Sequence, residues 1–259
     1  DLATIRAFRA RGLTVGVIAV DPSSRISGGA LLGDRTRMRR DPDDSGVFVR
    51  SMAARDRLGG LAELTFPAAV LMRALMDRVI VETVGVGQSE TAIAEIADTV
   101  VFCAQPGSGD AIQYMKAGVM EIPDLVAVTK ADMGAPARRT VSDLRGALGL
   151  AAGGDGSAVP AVIAVSATEG TGLDALVAAL EARAAAPGGT LAERRRGQAA
   201  AWLERHLAER YGRTGLARLR AQGALAGGGA GESGPFGRAL RLGAMLDAAL
   251  DTAFPAARK

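Results

Sequence analysis

Apolar residues in this chain fall into short blocks separated by polar, glycine-rich stretches. The run Leu13-Thr14-Val15-Gly16-Val17-Ile18-Ala19-Val20 reads as a buried strand by composition and length. Val47-Phe48-Val49-Arg50, Val79-Ile80-Val81, residues 99–104, Leu125-Val126-Ala127-Val128 and residues 159–165 read the same way. Between these blocks apolar residues take helical spacing, over 61–76, 91–97, 112–120, 137–148 and 173–186. Pro67 imposes a kink or a later start on the first of these. Residues 1–11 read as the tail of a helix closed by Gly12. Such alternation implies right-handed βαβ units and a largely parallel sheet. After Gly189 the pattern becomes purely helical, over 191–211, 216–225 and 236–249, with Gly227-Gly228-Gly229-Ala230-Gly231 as a flexible spacer. The expected organisation is an α/β module over 1–187 and an all-α module over 188–259.

Composition supports a packed α/β core. Hydrophobic residues make up 48% of 259 positions with only 3% aromatic, which suggests Ala/Val/Leu-rich α/β packing and not a disordered or aromatic-rich β protein. No apolar run reaches the ~18 residues of a membrane span, and no signal peptide is visible. A single cysteine, Cys103, excludes an internal disulfide framework and fits a reducing compartment. Its apolar surroundings make it read as a small core hydrophobe. Charge is uneven: residues 1–187 carry 19 Lys/Arg against 22 Asp/Glu, and residues 188–259 carry 12 against 6. The basic tail lacks the aromatic interleaving of a single-strand nucleic-acid binder, so a solvated helical face or protein contact is expected, with no nucleic acid and no membrane as partner. Arg194-Arg195-Arg196 belongs to that face. The only histidine, His206, sits four residues after the only tryptophan, Trp202, in a spacing that reads as packing.

The polar stretches that follow the apolar blocks carry the candidate chemistry. In an open parallel sheet they converge at the carboxyl ends of the strands, where ligands bind. Thr129-Lys130-Ala131-Asp132 looks like the base-reading loop of GTPases. Guanine presents a ring N–H and an exocyclic amino group, and the Asp132 carboxylate is suited to accept both. Lys130 would lay its stem along the base, and Ser166-Ala167 at the next strand end matches the loop that meets the guanine carbonyl. Asp21 follows the first strand and would act on Mg²⁺ through a bound water, although an isolated Asp-Pro is more commonly a turn former. Asp34 lies in a Gly- and charge-rich loop able to close over a γ-phosphate. Glu82 ends a strand, and Gly85 and Gly87 after it let backbone N–H groups approach phosphate oxygens. Gln88 is placed to orient an attacking water.

Five segments occur in one order: 20–24, 33–38, the run Glu82-Thr83-Val84-Gly85-Val86-Gly87-Gln88-Ser89-Glu90, 106–110 and 129–132. Together they resemble the methylmalonyl-CoA mutase-associated GTPases, the MeaB/ArgK-like family of P-loop GTPases, along essentially the whole chain. The resemblance implies a P-loop NTPase-like, mostly parallel sheet flanked by helices, with an all-α C-terminal extension that serves as a dimerisation arm. It implies a bacterial, cytoplasmic GTP-hydrolysing chaperone that gates adenosylcobalamin loading of an acyl-CoA mutase and protects it. GTP/GDP and Mg²⁺ are the implied cofactors. Asp21, Asp34 and Glu82 carry over as Mg²⁺ and switch residues, Gln88 as a switch residue, and Lys130 and Asp132 as guanine readers. Residues 105–116 resemble a loop that relays nucleotide state to the partner.

One departure stands out. The family's Gly-x-x-x-x-Gly-Lys-Ser/Thr phosphate cradle occurs nowhere in these 259 residues. The expectation is a chain lacking its first strand and phosphate loop, with little GTPase activity of its own. Related nickel-enzyme GTPases usually carry His/Cys clusters, and one His and one Cys 103 positions apart argue against that class. Signal-recognition GTPases share the Thr-Lys-x-Asp loop but not the 82–90 run. A transport-linked ATPase or kinase is disfavoured by Asp132, which suits guanine over adenine. A non-catalytic partner-binding module is the remaining reading.

Overall fold

The computed structural model describes residues 2–22, 43–54, 64–83, 89–107, 122–151, 159–185, 190–225 and 234–253. The chain forms two compact units, Asp1–Pro187 and Gly188–Lys259. The first unit runs α1 (Leu2–Arg9), β1 (Val15–Pro22), β2 (Val47–Ala54), α2 (Thr65–Leu75), β3 (Arg78–Thr83), α3 (Ser89–Ala94), β4 (Val101–Ala104), β5 (Leu125–Val128), α4 (Ala135–Ala151), β6 (Ala161–Ala164) and α5 (Leu173–Ala184). The second holds α6 (Thr190–Ala221) and α7 (Pro235–Ala253).

Among the described residues every strand pairing is parallel, as the βαβ alternation predicts, but the hydrogen-bonded strands form two sheets of three. In the first, β1 lies between β2 and β3, with Val15 opposite both Val47 and Arg78. In the second, β5 lies between β4 and β6, with Leu125 opposite Val101 and Ala161. The central strands are apolar on both faces because helices cover both faces. Val15 and Val17 pack with Ile5 and Phe8 of α1 and Val177 of α5. Ile18 and Val20 face the other way, onto Ala69 and Met72 of α2. In the second sheet Val126 and Val128 pack on Leu144 and Leu148 of α4.

Helix α5 packs on both sheets. Val177 joins the cluster under β1, Leu176 joins Ala127 and Val165 under β5, and Leu180 borders both clusters. Each such buried side chain contributes roughly 1.5–3 kcal/mol. Charged pairs fix the helix at both sides. Arg78 Nε and Nη2 on β3 donate to Glu181 Oε1 and Oε2 at 3.0 and 2.5 Å. Arg183 Nη2 donates to Asp124 Oδ1, just before β5, at 2.5 Å.

Several elements differ in extent from the pattern-based expectation. Helix α2 starts at Thr65, so Pro67 sits in the first turn, where a missing N–H costs nothing. Strand β2 extends to Ala54 because its full length pairs with β1. The helix expected over 112–120 lies outside the described residues. Cys103, expected in the core, is exposed on β4. Desolvation nonetheless pushes its thiol pKa up, with the Glu82 carboxylate adding to the shift.

In the second unit α6 breaks at Gly212 (φ 68°, ψ −179°), between the two helices read from the sequence. Leu203, Leu207, Leu216 and Leu219 of α6 meet Ala239, Leu242 and Leu246 of α7 in one core. Trp202 stacks on His206 with ring centroids 5.0 Å apart, and Phe236 meets Trp202 edge-on at the same distance. That geometry is packing, as the spacing predicts.

Candidate functional site

The carboxyl ends of β5 and β6 converge through backbone hydrogen bonds. Val165 N–H donates to Val128 O at 2.8 Å, and Ala131 N–H donates to Val165 O at 3.0 Å. Thr129 is tied to the end of β4: its N–H and its Oγ1 both donate to Ala104 O, at 2.8 and 3.1 Å. The loop after β5 is therefore fixed from both neighbouring strands. Residues 131–133 form a 3₁₀ turn, and Lys130 before it has φ 54°, ψ 45°. Among the described residues it is the one non-glycine with positive φ. A left-handed lysine costs of order 1 kcal/mol and is held only where its surroundings demand it.

Asp132 is exposed, and its position is set by Ser166. Ser166 is fully buried, and its Oγ donates to Asp132 Oδ1 at 2.6 Å. The same Oγ accepts Glu169 N–H at 3.1 Å, which fixes the hydroxyl as a donor toward Asp132. The Ser166 hydroxyl, then the backbone N–H of Asp132 and then Lys130, hold the Asp132 carboxyl below the usual carboxylate range. Asp132 is thus an oriented anion with its second oxygen free of that clamp. An oriented carboxylate two residues after a lysine suits a planar group with two adjacent N–H donors. The structure brings Thr129, Lys130, Asp132, Ser166 and Ala167 together at the ends of β5 and β6.

The acidic positions of the first sheet lie at the same carboxyl edge of their strands. Glu82 is on β3 with Ala19 as its register partner, and Asp21 is two residues beyond Ala19 on β1. The two acidic positions are therefore on adjacent strands. Mg²⁺ keeps several waters and takes one or two protein carboxylates, a number that two positions on adjacent strands can supply. Asp34, Gly85, Gly87 and Gln88 lie outside the described residues. Among the described residues no group of three or more His, Cys, Asp or Glu side chains is arranged to hold a metal ion. Nor, among them, is any helix long and apolar enough to cross a membrane.

Sequence reading missed the scaffold under Ser166. The loop 166–172 closes on itself through Ser166 N–H donating to Thr171 O at 2.8 Å. Glu169 and Thr171 carry no motif that marks them, because their contribution is made through the backbone.

A family model described as "Methylmalonyl Co-A mutase-associated GTPase MeaB" matches residues 2–216. A protein of Pyrococcus abyssi that is named as a GTPase is 55% identical over 129 residues, 49% of this chain and 40% of its own. The GTPase ArgK of Escherichia coli is 44% identical over 122 residues, 47% of this chain and 37% of its own. The chain thus spans less than half the length of these two relatives. Among solved structures, the hydrogenase maturation factor HypB from Archaeoglobus fulgidus overlays with a TM-score of 0.46 at 15% identity, over 70% of this chain and 80% of that one.

Proposed function

Because the chain belongs to the methylmalonyl-CoA mutase-associated GTPase family, we propose that it recognises GTP and GDP through the ends of β5 and β6. The observation that carries this reading is the clamp of Ser166 on Asp132. It leaves an oriented, ionised carboxylate suited to the ring N–H and exocyclic amino group of guanine, and adenine lacks that donor pair. Lys130, held left-handed, lays its stem along the base, and the backbone at Ser166 and Ala167 meets the guanine carbonyl.

Asp21, Asp34 and Glu82 would hold Mg²⁺ at the carboxyl edge of the first sheet. A bound Mg²⁺ there would supply charge neutralisation at the phosphate oxygens. Gly85 and Gly87 offer backbone N–H groups to those oxygens, and Gln88 orients the attacking water. In this reading nucleotide state gates adenosylcobalamin loading of an acyl-CoA mutase and its protection from inactivation, and residues 188–259 pair two copies of the chain. Residues 1–259 hold no Gly-x-x-x-x-Gly-Lys-Ser/Thr run, so turnover by these residues alone is expected to be slow.

Calorimetric titration of the chain with GDP and ADP tests base recognition. A preference for GDP of about 100-fold or more is expected from two charge-assisted hydrogen bonds. Equal affinity for the two nucleotides would refute it. Reactivation of a cobalamin-dependent mutase in the presence of GTP, and not of ATP, tests the partner.

A further inference from the structure

We propose that Gly172 is a positioning residue for base recognition: its bare Cα lets the 166–172 loop seat on the end of β6, which places Ser166 to hold Asp132. The inference rests on the reading of Asp132 as the guanine-recognising group, and it adds a residue in no contact with the base.

Two glycines of this loop share the same positive φ. Gly170 has φ +74° and Gly172 has φ +75°. Their surroundings differ completely. A Cβ on Gly170 would meet nothing within 4 Å. A Cβ on Gly172 would lie 2.0 Å from Ala164 O, 3.1 Å from Ala164 C and 3.3 Å from Val165 Cα. All three are backbone atoms, so no rotamer change relieves the collision. Reaching even the 3.0 Å below which Cβ contacts are essentially never seen requires a shift of about 1 Å between Gly172 and the end of β6. Left-handed freedom therefore explains both glycines, and close approach explains only Gly172.

The atoms that would be pushed lead directly to Asp132. Ala164 is followed by Val165, whose carbonyl accepts Ala131 N–H at 3.0 Å, and by Ser166, whose Oγ donates to Asp132 Oδ1 at 2.6 Å. The backbone before Asp132 and its side chain are both referenced to residues 165 and 166. On the other side Gly172 is anchored as the N-cap of α5, its carbonyl accepting Leu176 N–H at 3.0 Å. The helix cannot follow the loop without disturbing Leu176 and Val177 in the core. A shift of about 1 Å in an orienting group costs on the order of 100-fold where geometry decides recognition.

The test compares Gly172→Ala with Gly170→Ala, which carries the same left-handed alanine without the collision. Affinities for guanosine and inosine diphosphate are measured on the full chain, since inosine lacks the exocyclic amino group. The wild-type chain and Gly170→Ala are expected to favour guanosine diphosphate by about 10- to 100-fold, the value of one charge-assisted bond. In Gly172→Ala the ratio is expected to fall to within about threefold of unity. Carboxyl ¹³C titration of Asp132 gives a readout without nucleotide. Its midpoint is expected below the usual carboxylate range in the wild-type and Gly170→Ala chains and back within that range in Gly172→Ala. A Gly172→Ala chain that keeps both the ratio and the depressed midpoint overturns the proposal. If the wild-type chain shows no guanine preference, the base-reading function fails, and the titration alone still decides whether Gly172 positions Asp132. Should Gly172→Ala not fold, the Gly172 amide signal of the wild-type chain is followed through the Asp132 midpoint. A shift that tracks the midpoint supports the coupling, and a flat signal overturns it.

Discussion

Replacing Asp132 by Asn isolates the group on which the proposed base selectivity depends. The substitution keeps size and shape, and the amide oxygen still accepts the Ser166 hydroxyl that now sits 2.6 Å away. What changes is the face offered to the ligand. The exposed carboxylate accepts on both oxygens, whereas an amide accepts on one side and donates on the other. Guanine presents two donors, so one of its bonds is lost and replaced by two donors facing each other, and the surviving bond loses its charge. One charge-assisted bond is worth roughly 10- to 100-fold in affinity, and the weakening of its neighbour adds about another tenfold. Asp132→Asn is therefore expected to bind GDP about 100- to 1000-fold more weakly than the wild type. Xanthine presents one donor and one carbonyl at the same edge, which matches the amide, so xanthosine diphosphate should bind the variant better than GDP does. Titration calorimetry with both diphosphates reads the inversion. Thermal unfolding by circular dichroism should shift by less than about 2 °C, because the clamp survives. GDP affinity within about threefold of the wild-type value, or loss without gain of xanthine binding, refutes this account of the site.

Three other outcomes follow from local geometry. Leu207 is fully buried among Leu203, Leu219 and Leu242; Leu207→Ala should cost about 3–5 kcal/mol in guanidinium unfolding followed by fluorescence of Trp202, which borders the same core, and an unchanged midpoint contradicts the packing. Asp77 Oδ2 accepts Thr14 N–H and Thr14 Oγ1–H at 2.8 and 2.7 Å, and these bonds hold its carboxyl below the usual range. That stabilisation is complete above the unfolded carboxylate pKa of about 4 and is lost as pH falls through the depressed folded value, so Asp77→Asn should flatten the loss of stability below about pH 4 in urea unfolding. Lys130→Gly removes a left-handed side chain, so folding stability should stay within about 1 kcal/mol of wild type while GDP affinity falls; a stability loss well beyond that would mean the lysine packs structurally.

The strand ends were legible because a parallel strand buried on both faces leaves a continuous apolar run, and Val15–Val20 and Leu125–Val128 are such runs. The loop at 129–132 was legible because its chemistry resides in side chains at fixed spacing. What stayed hidden acts through backbone. Nothing in Gly170-Thr171-Gly172 distinguishes a glycine required for handedness from one required by a carbonyl 2.0 Å from its missing Cβ, because Ala164 O belongs to a neighbouring strand end. Cys103 departs from its expected burial for a related reason. An apolar run does not say which of its strand positions a second element covers, and on β4 the position of Cys103 is left open. The division into two hydrogen-bonded sheets was equally unreadable, since strand order is a property of pairing and each run looks the same in either arrangement.

The placement of α5 has a consequence for synthesis on the ribosome. It is the last element of its unit to be made, yet its partners were made long before: Arg78 bonds Glu181 across 103 residues, and Arg11 bonds Asp174 across 163. Until residue 184 clears the exit tunnel, Val15, Val17 and Ala127 have no cover from this helix, and at ~5–20 residues per second the wait from Val15 lasts roughly 10–30 s. Through that interval the part of these faces that α5 covers stays open to holdase chaperones or to other nascent chains. Closure of both clusters that α5 joins waits for this helix, whatever the order in which the strands emerge.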